Sequence, residues 1–394
     1  MGRISGKRPG RRIAARLAGN RLAENRPAEN RWWRRWTIPL AVLAALVPMA
    51  ASEAATPTTL LGAYYGNQGW AMGDVRALEA WQGRRHAVVE MFTDWNGGRK
   101  TLDNLFGQQL PNVWANGNVP LVTWEPFTPG STPVDVEVRI ARGDYDGYVR
   151  TWAQRLSGFL AGADGRHGTT DDRRAYLRLA HEPNGDWYPW GAAMGANRPA
   201  DYVTMWQRVH GLVTAAGLGP SVLQWVWAAN AEDVGGFRAE DFYPGDSYVD
   251  WVAVDGYNWG ASQSWSSWRS PSDVLGPMTA RLRVLTPNKP LAVTEVASTS
   301  STVAGADVTA KGAWISDLFS WLPGHDVGMV VWFDTDKETD WAVFGGSGGD
   351  ETYRSGRTTY RAYSSYRRAV TGTAMIGSDP ANPRLLTDAQ FAGS

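Results

Sequence analysis

Apolar residues cluster in short runs rich in Val, Leu, Tyr and Trp that recur along the chain. They occupy Leu60–Gly66, Ala87–Trp95, Val119–Phe127, Ala175–Asn184, Val222–Asn230, Val249–Trp259, Pro290–Ser298 and Val327–Asp334. Several are almost unbroken in apolar character, the pattern of parallel strands buried on both faces. The segments between them change period. Tyr148, Trp152, Leu156 and Phe159 recur at spacings of three and four within Tyr145–Leu160. The same spacing appears in Ala200–Ala216 and in Lys311–Leu322, so each predicts a helix with one buried face. Eight strand-like runs separated by helical stretches predict an α/β fold, a (β/α)8 TIM barrel, in a single domain over 55–370. The tail, 371–394, has no clear pattern and is expected to be poorly ordered.

The first 54 residues stand apart. Residues 1–36 carry 11 Lys and Arg against Glu24 and Glu29, and an apolar stretch from Trp36 to Ala50 follows. That stretch is short and interrupted by proline, and Ser52 and Ala54 put small residues at the −3 and −1 positions of a cleavage site. The segment 1–54 therefore predicts a secretory signal with a long basic leader, hence an extracellular protein. Uncleaved, the segment would leave the protein anchored at a membrane. Without it, residues 55–394 hold 28 basic and 36 acidic side chains, which offers no electrostatic footprint for nucleic acid. The absence of cysteine excludes disulfides and thiolate metal sites. Neither a metal nor a cofactor is expected, and the chain is expected to act as a monomer.

Chemistry in such a barrel belongs at the C-terminal ends of the strands. The fourth run ends Leu179-Ala180-His181-Glu182-Pro183-Asn184, and the seventh ends Thr294-Glu295-Val296-Ala297-Ser298. Each supplies one glutamate at the barrel mouth, from strands on opposite sides of the ring. Two opposed carboxyl groups are what glycosidic cleavage needs, one to protonate the leaving oxygen and one to attack or direct water at the anomeric carbon.

The stretch from Leu179 to Trp190, with His181-Glu182-Pro183-Asn184-Gly185-Asp186-Trp187 at its centre, resembles the acid/base motif of glycoside hydrolase family 26. Thr294-Glu295 is similar to that family's nucleophile strand. The resemblance implies a retaining double displacement with Glu182 as acid/base and Glu295 as nucleophile, their carboxyls about 5–5.5 Å apart. It also implies a β-linked polysaccharide substrate, with β-1,4-mannan the commonest and mixed-linkage β-glucan or β-1,3-xylan as alternatives. Pro183 departs from the Met that many mannanases carry. Tyr257 is the residue that similar enzymes use to hold the nucleophile, with Asp255 behind it. Trp332, in the eighth strand, is where related barrels place a ring beneath the sugar.

Tryptophan is abundant, at 22 residues. Indoles offer sugars a flat apolar face and one donor, so Trp124, Trp187, Trp190 and Trp332 are candidate platforms, with Trp95 and Trp259 at other strand ends. His181 and Asn184 are candidate ligands for sugar hydroxyls, although each would serve as well by holding its turn. The run Asp164–Asp172 has carboxylates and glycines spaced like a calcium loop, but Arg166 and the missing bidentate Glu favour a polar turn. A rival function is a carbohydrate-binding barrel that has lost catalysis.

Overall fold

Alternation with a period of two decides which strand residues face the barrel axis. The computed structural model describes residues 59–394, so the expected secretory segment lies outside the described residues. Eight parallel strands form the ring: β1 Thr59–Tyr64, β2 Val88–Asp94, β3 Val119–Glu125, β4 Ala175–Leu179, β5 Leu223–Asn230, β6 Trp251–Asn258, β7 Leu291–Ser298 and β8 Val327–Phe333. Each pairs with the next, and β8 closes onto β1 with Leu60 opposite Met329 and Tyr64 opposite Phe333. The (β/α)8 expectation holds, and the expected helices appear as Asp146–Leu160, Pro199–Thr214 and Val308–Trp321. The last is capped by Asp307, whose carboxylate accepts the backbone N–H groups of Thr309 and Ala310. Among the described residues no helix is long and apolar enough to cross a membrane.

Outward-facing strand residues, such as Val122, Leu177, Trp225, Val293 and Val330, pack under the ring of helices in one large apolar cluster. Burying each such side chain contributes about 1.5–3 kcal/mol. Inward-facing residues form layers. The lowest contains Leu60, Leu121, Tyr176, Val226, Trp251 and Met329, all buried.

The tail corrects the sequence reading. Far from lacking structure, 371–394 carries a ninth strand, Met375–Ile376, that pairs with β1, and a helix, Asp388–Ala392. Phe391 is buried against Tyr176, with ring centroids 4.8 Å apart, and caps the floor of the barrel. Arg174 donates to the Leu386 carbonyl at 2.6 Å and pairs with Asp388. The tail is too short and polar to show a period in sequence, and its order comes from a handful of long-range contacts.

Candidate active site

Above the apolar floor the barrel interior becomes charged. Arg178, the inward residue of β4 after Tyr176, is fully buried and reaches three carboxyl groups. It donates to Asp255 at 2.7 Å, to Glu90 at 2.6 Å and to Glu295 at 2.5 Å, and its Nε meets Thr123 at 2.8 Å. Thr294 donates to the other oxygen of Asp255 at 2.6 Å. Burial pushes the Glu90 acid well above the ordinary carboxyl range, and pushes Asp255 up to about 7 despite the Arg178 charge. One guanidinium thus serves three carboxyls in a site where burial disfavours each negative charge.

Glu295 reaches this cluster through an irregularity. On strict alternation Thr294 faces inward and Glu295 faces out. In β7, however, Val254 pairs with Val293 while the next residue, Asp255, pairs with Glu295. The β8 side shows the same extra residue, with Val330 opposite Val293 and Trp332 opposite Val296. This β-bulge turns Thr294 and Glu295 both toward the axis. The second oxygen of Glu295 accepts the Tyr257 hydroxyl.

Glu182 is aimed by a turn. Ala180 and Glu182 both adopt the left-handed region, with φ of 44° and 53°. Such a backbone costs non-glycine residues on the order of 1–3 kcal/mol each, so it must be held. The Glu182 N–H bonds the Ala228 carbonyl at 2.9 Å, Tyr202 bonds the Ala180 carbonyl at 2.9 Å, and the Trp190 indole bonds the His181 carbonyl at 2.8 Å. The Glu182 carboxyl accepts the Trp187 N–H at 2.7 Å. Gly185 permits this contact, because a Cβ there would come within 2.5 Å of the indole. Burial, then the neighbouring Glu295 carboxylate, push the Glu182 acid well above its ordinary range.

Both glutamates open into one cleft of about 1110 Å³. The inward end of nearly every strand lines it: Tyr64, Phe92, Glu125, Asn230, Tyr257 and Phe333, with Trp187, Trp259, Trp265 and Trp341 from the loops. A row of rings leads outward from the Glu295 partner, with Tyr257 to Trp341 at 5.1 Å, Trp341 to Trp259 at 4.8 Å and Trp259 to Trp265 at 5.3 Å.

The sequence model of glycosyl hydrolase family 26 matches residues 108–286. Those residues carry a domain of that family. Among relatives of the chain, endoglucanase H of Acetivibrio thermocellus is 30% identical over 289 residues, covering 72% of the chain and 28% of the relative. A mannan endo-1,4-beta-mannosidase of Bacillus subtilis is 28% identical over 167 residues, covering 40% of the chain and 45% of the relative. The chain thus spans less than half the length of the curated relatives it matches. Solved structures agree on the fold. A GH26 endo-beta-1,4-mannanase domain from Bacillus sp. JAMB-750 is 18% identical with a TM-score of 0.59, covering 85% of this chain and 89% of that one. A GH26 beta-mannanase from Bacteroides ovatus is 16% identical with a TM-score of 0.57, covering 84% and 93%.

Within the barrel the sequence-chosen residues divide. Glu182, Glu295, Trp187 and Tyr257 meet at the cleft. Trp124 and Trp332 do not. They sit one residue from the inward positions Glu125 and Phe333, so they face the helices. Trp124 stacks on Trp152 at 4.0 Å, and Trp332 lies against Trp314 and Tyr366. Trp190 is fully buried, stacked on Tyr188 at 4.5 Å, and supports the turn from below. Trp95 packs on Trp124 rather than facing the cleft. His181 is buried, with Nε2 3.0 Å from the Tyr188 hydroxyl and 3.7 Å from Glu295. Burial and the Arg178 charge hold its pKa well below the usual histidine range, so it approaches Glu295 as a neutral imidazole.

Asn184 takes the second of its two roles. Its amide nitrogen donates to the Asn230 carbonyl and to Asp233, and its oxygen accepts the Asn230 N–H, which pins the loop after β5. The Asp164–Asp172 run is a polar turn whose Asp171 carboxylate accepts the N–H groups of Ala163 and Asp164. Sequence reading missed Arg178, Glu90, Glu125, Trp265 and Trp341. The available signal for the first two was a lone charge at an inward position of an otherwise apolar run.

Proposed function

We propose that the protein is a secreted, retaining endo-β-glycanase that hydrolyses a β-linked polysaccharide by double displacement, with Glu182 as acid/base and Glu295 as nucleophile. The observation that carries this reading is the unequal treatment of two carboxyls sharing one cleft. Glu295 accepts hydrogen bonds from a buried guanidinium and a tyrosine, which hold and aim its two oxygens. Glu182 accepts the Trp187 indole, and burial, then the Glu295 carboxylate, push its pKa well above the ordinary carboxyl range, which favours the protonated acid. Glu182 then donates that proton to the departing glycosidic oxygen while Glu295 attacks the anomeric carbon. Esterification removes the Glu295 charge, so the Glu182 acid weakens its hold and can act as base toward the incoming water. Trp187, half-exposed, covers the cleft beside the acid.

β-1,4-Mannan is the substrate we propose, supported by the names of the Bacillus subtilis relatives. A second reading, a β-glucan, is favoured by the relative that matches the largest share of the chain, which is named an endoglucanase. The protein is read as a monomer, freed from its leader or anchored through it. Reducing-sugar release from galactomannan, glucomannan, barley β-glucan and β-1,3-xylan tests these together. Mannan and glucomannan should be cleaved with the anomeric configuration retained, and barley glucan alone would select the second reading. Glu295→Ala should abolish release while the protein still binds glycan. A wild type that releases nothing from any of the four would leave a binding barrel instead.

A further inference from the structure

Glu125 ends β3 at an inward position, directly after the outward Trp124, and lines the cleft. Its carboxyl group has no hydrogen-bond partner among the described residues, unlike Glu90, Asp255, Glu182 and Glu295, each of which accepts at least one hydrogen bond. It is also not idle surface. It is only partly exposed, and burial, then the nearby Glu295 charge, push its acid up to about 8. A carboxyl held in a cleft without a partner carries an unmet demand for hydrogen bonds once water is displaced. That demand is met when a ligand brings hydroxyls.

The surroundings say which kind of ligand. Around Glu125 the same half of the cleft presents Tyr64 from β1, Phe92 from β2 and Tyr188 from the loop after β4. Tyr64 and Phe92 meet edge to face at 4.8 Å, and Phe92 lies 5.8 Å from His181. Aromatic faces with one carboxyl group among them suit a pyranose ring, whose C–H faces pack on rings while its rim carries hydroxyls. Tyr64 also lies 4.6 Å from Phe333, which leads to Tyr257 at 5.8 Å, so the rings around Glu125 and the Trp259–Trp265–Trp341 row line one continuous cleft that also holds both glutamates.

We infer that Glu125 is a sugar-binding residue that takes a pair of neighbouring hydroxyls of the pyranose on the β1–β3 side of the cleft, and so helps select which glycan is cut. This rests on the reading of the cleft as a glycan site, and its test separates the two. Affinity of β-1,4-mannotetraose and β-1,4-cellotetraose is measured by calorimetry on Glu295→Ala, with and without Glu125→Ala or Glu125→Gln. Monodeoxy forms of the tetrasaccharides are then compared.

Removing the carboxyl should weaken binding about 10- to 100-fold, with Gln intermediate. One or two deoxy sugars should bind weakly to the protein with Glu125, yet lose no further affinity when Glu125 is absent. A merely structural role would not produce that hydroxyl-specific pattern. Should Glu125→Ala fail to fold, the deoxy comparison on Glu125→Gln decides. Equal affinity and equal deoxy penalties in all variants would overturn the inference while leaving the glycosidase reading intact. A wild type without hydrolysis but with the Glu125-dependent binding would overturn the enzyme and keep the inference. Absence of binding to either tetrasaccharide would overturn both.

Discussion

The floor and the mouth of the barrel interior are built from inward positions of the same ring of strands, and by opposite rules. Below, Tyr176, Trp251, Leu121 and Met329 interlock with Phe391 in a dry apolar layer. Above, Arg178, Glu90, Asp255 and Glu295 fill equivalent inward positions with buried charge. The floor gains from every contact it makes. The mouth bears desolvation that its ion pairs offset only while all partners are present. The comparison teaches that the floor carries stability and the mouth accepts a stability cost for chemistry.

The sharpest way to break this comparison is Arg178→Met. Removing the single guanidinium leaves Glu90, Asp255 and Glu295 buried without their shared cation, and should cost about 3–5 kcal/mol. Urea unfolding measures the loss, and hydrolysis should collapse with it because Glu295 loses one of its two anchors. A variant of wild-type stability would show that the mouth is not held by this residue. Next in size, Phe391→Ala empties the floor and should cost about 3 kcal/mol or more, while kcat at 25 °C stays near wild type. A large fall in kcat with little change in stability would erase the division between the layers.

Trp187→Phe has the smallest effect and the most specific one. The indole N–H stabilises the ionised form of Glu182, so its loss lets the acid keep its proton to higher pH. The alkaline limb of the kcat–pH profile should move upward. An unmoved limb would contradict the acid role of Glu182, because losing a donor to its carboxylate must shift the group that sets that limb.

Some of the site was legible because it lies where an apolar run stops. Glu182 and Glu295 were found that way, and so was Tyr257. The tryptophans at the same stops misled, because a run's end does not reveal parity. Trp124 and Trp332 each miss the cleft by one residue, and in a period-two element one residue is the whole difference between axis and helix layer. Glu295 shows the converse. Its parity is wrong, and only the bulge in β7 brings it inward.

By itself, then, the sequence determined the eight-fold alternation, the ends of the strands and the two glutamates, because these depend on local hydrophobic period and on residue type. The tertiary structure alone decided which rings line the cleft, that Arg178 gathers three carboxyls from three other strands, and that the last residues seal the floor. Those facts depend on register, on a one-residue bulge and on long-range contacts, such as that from Tyr176 to Phe391 across 215 positions. No local pattern encodes a contact of that length.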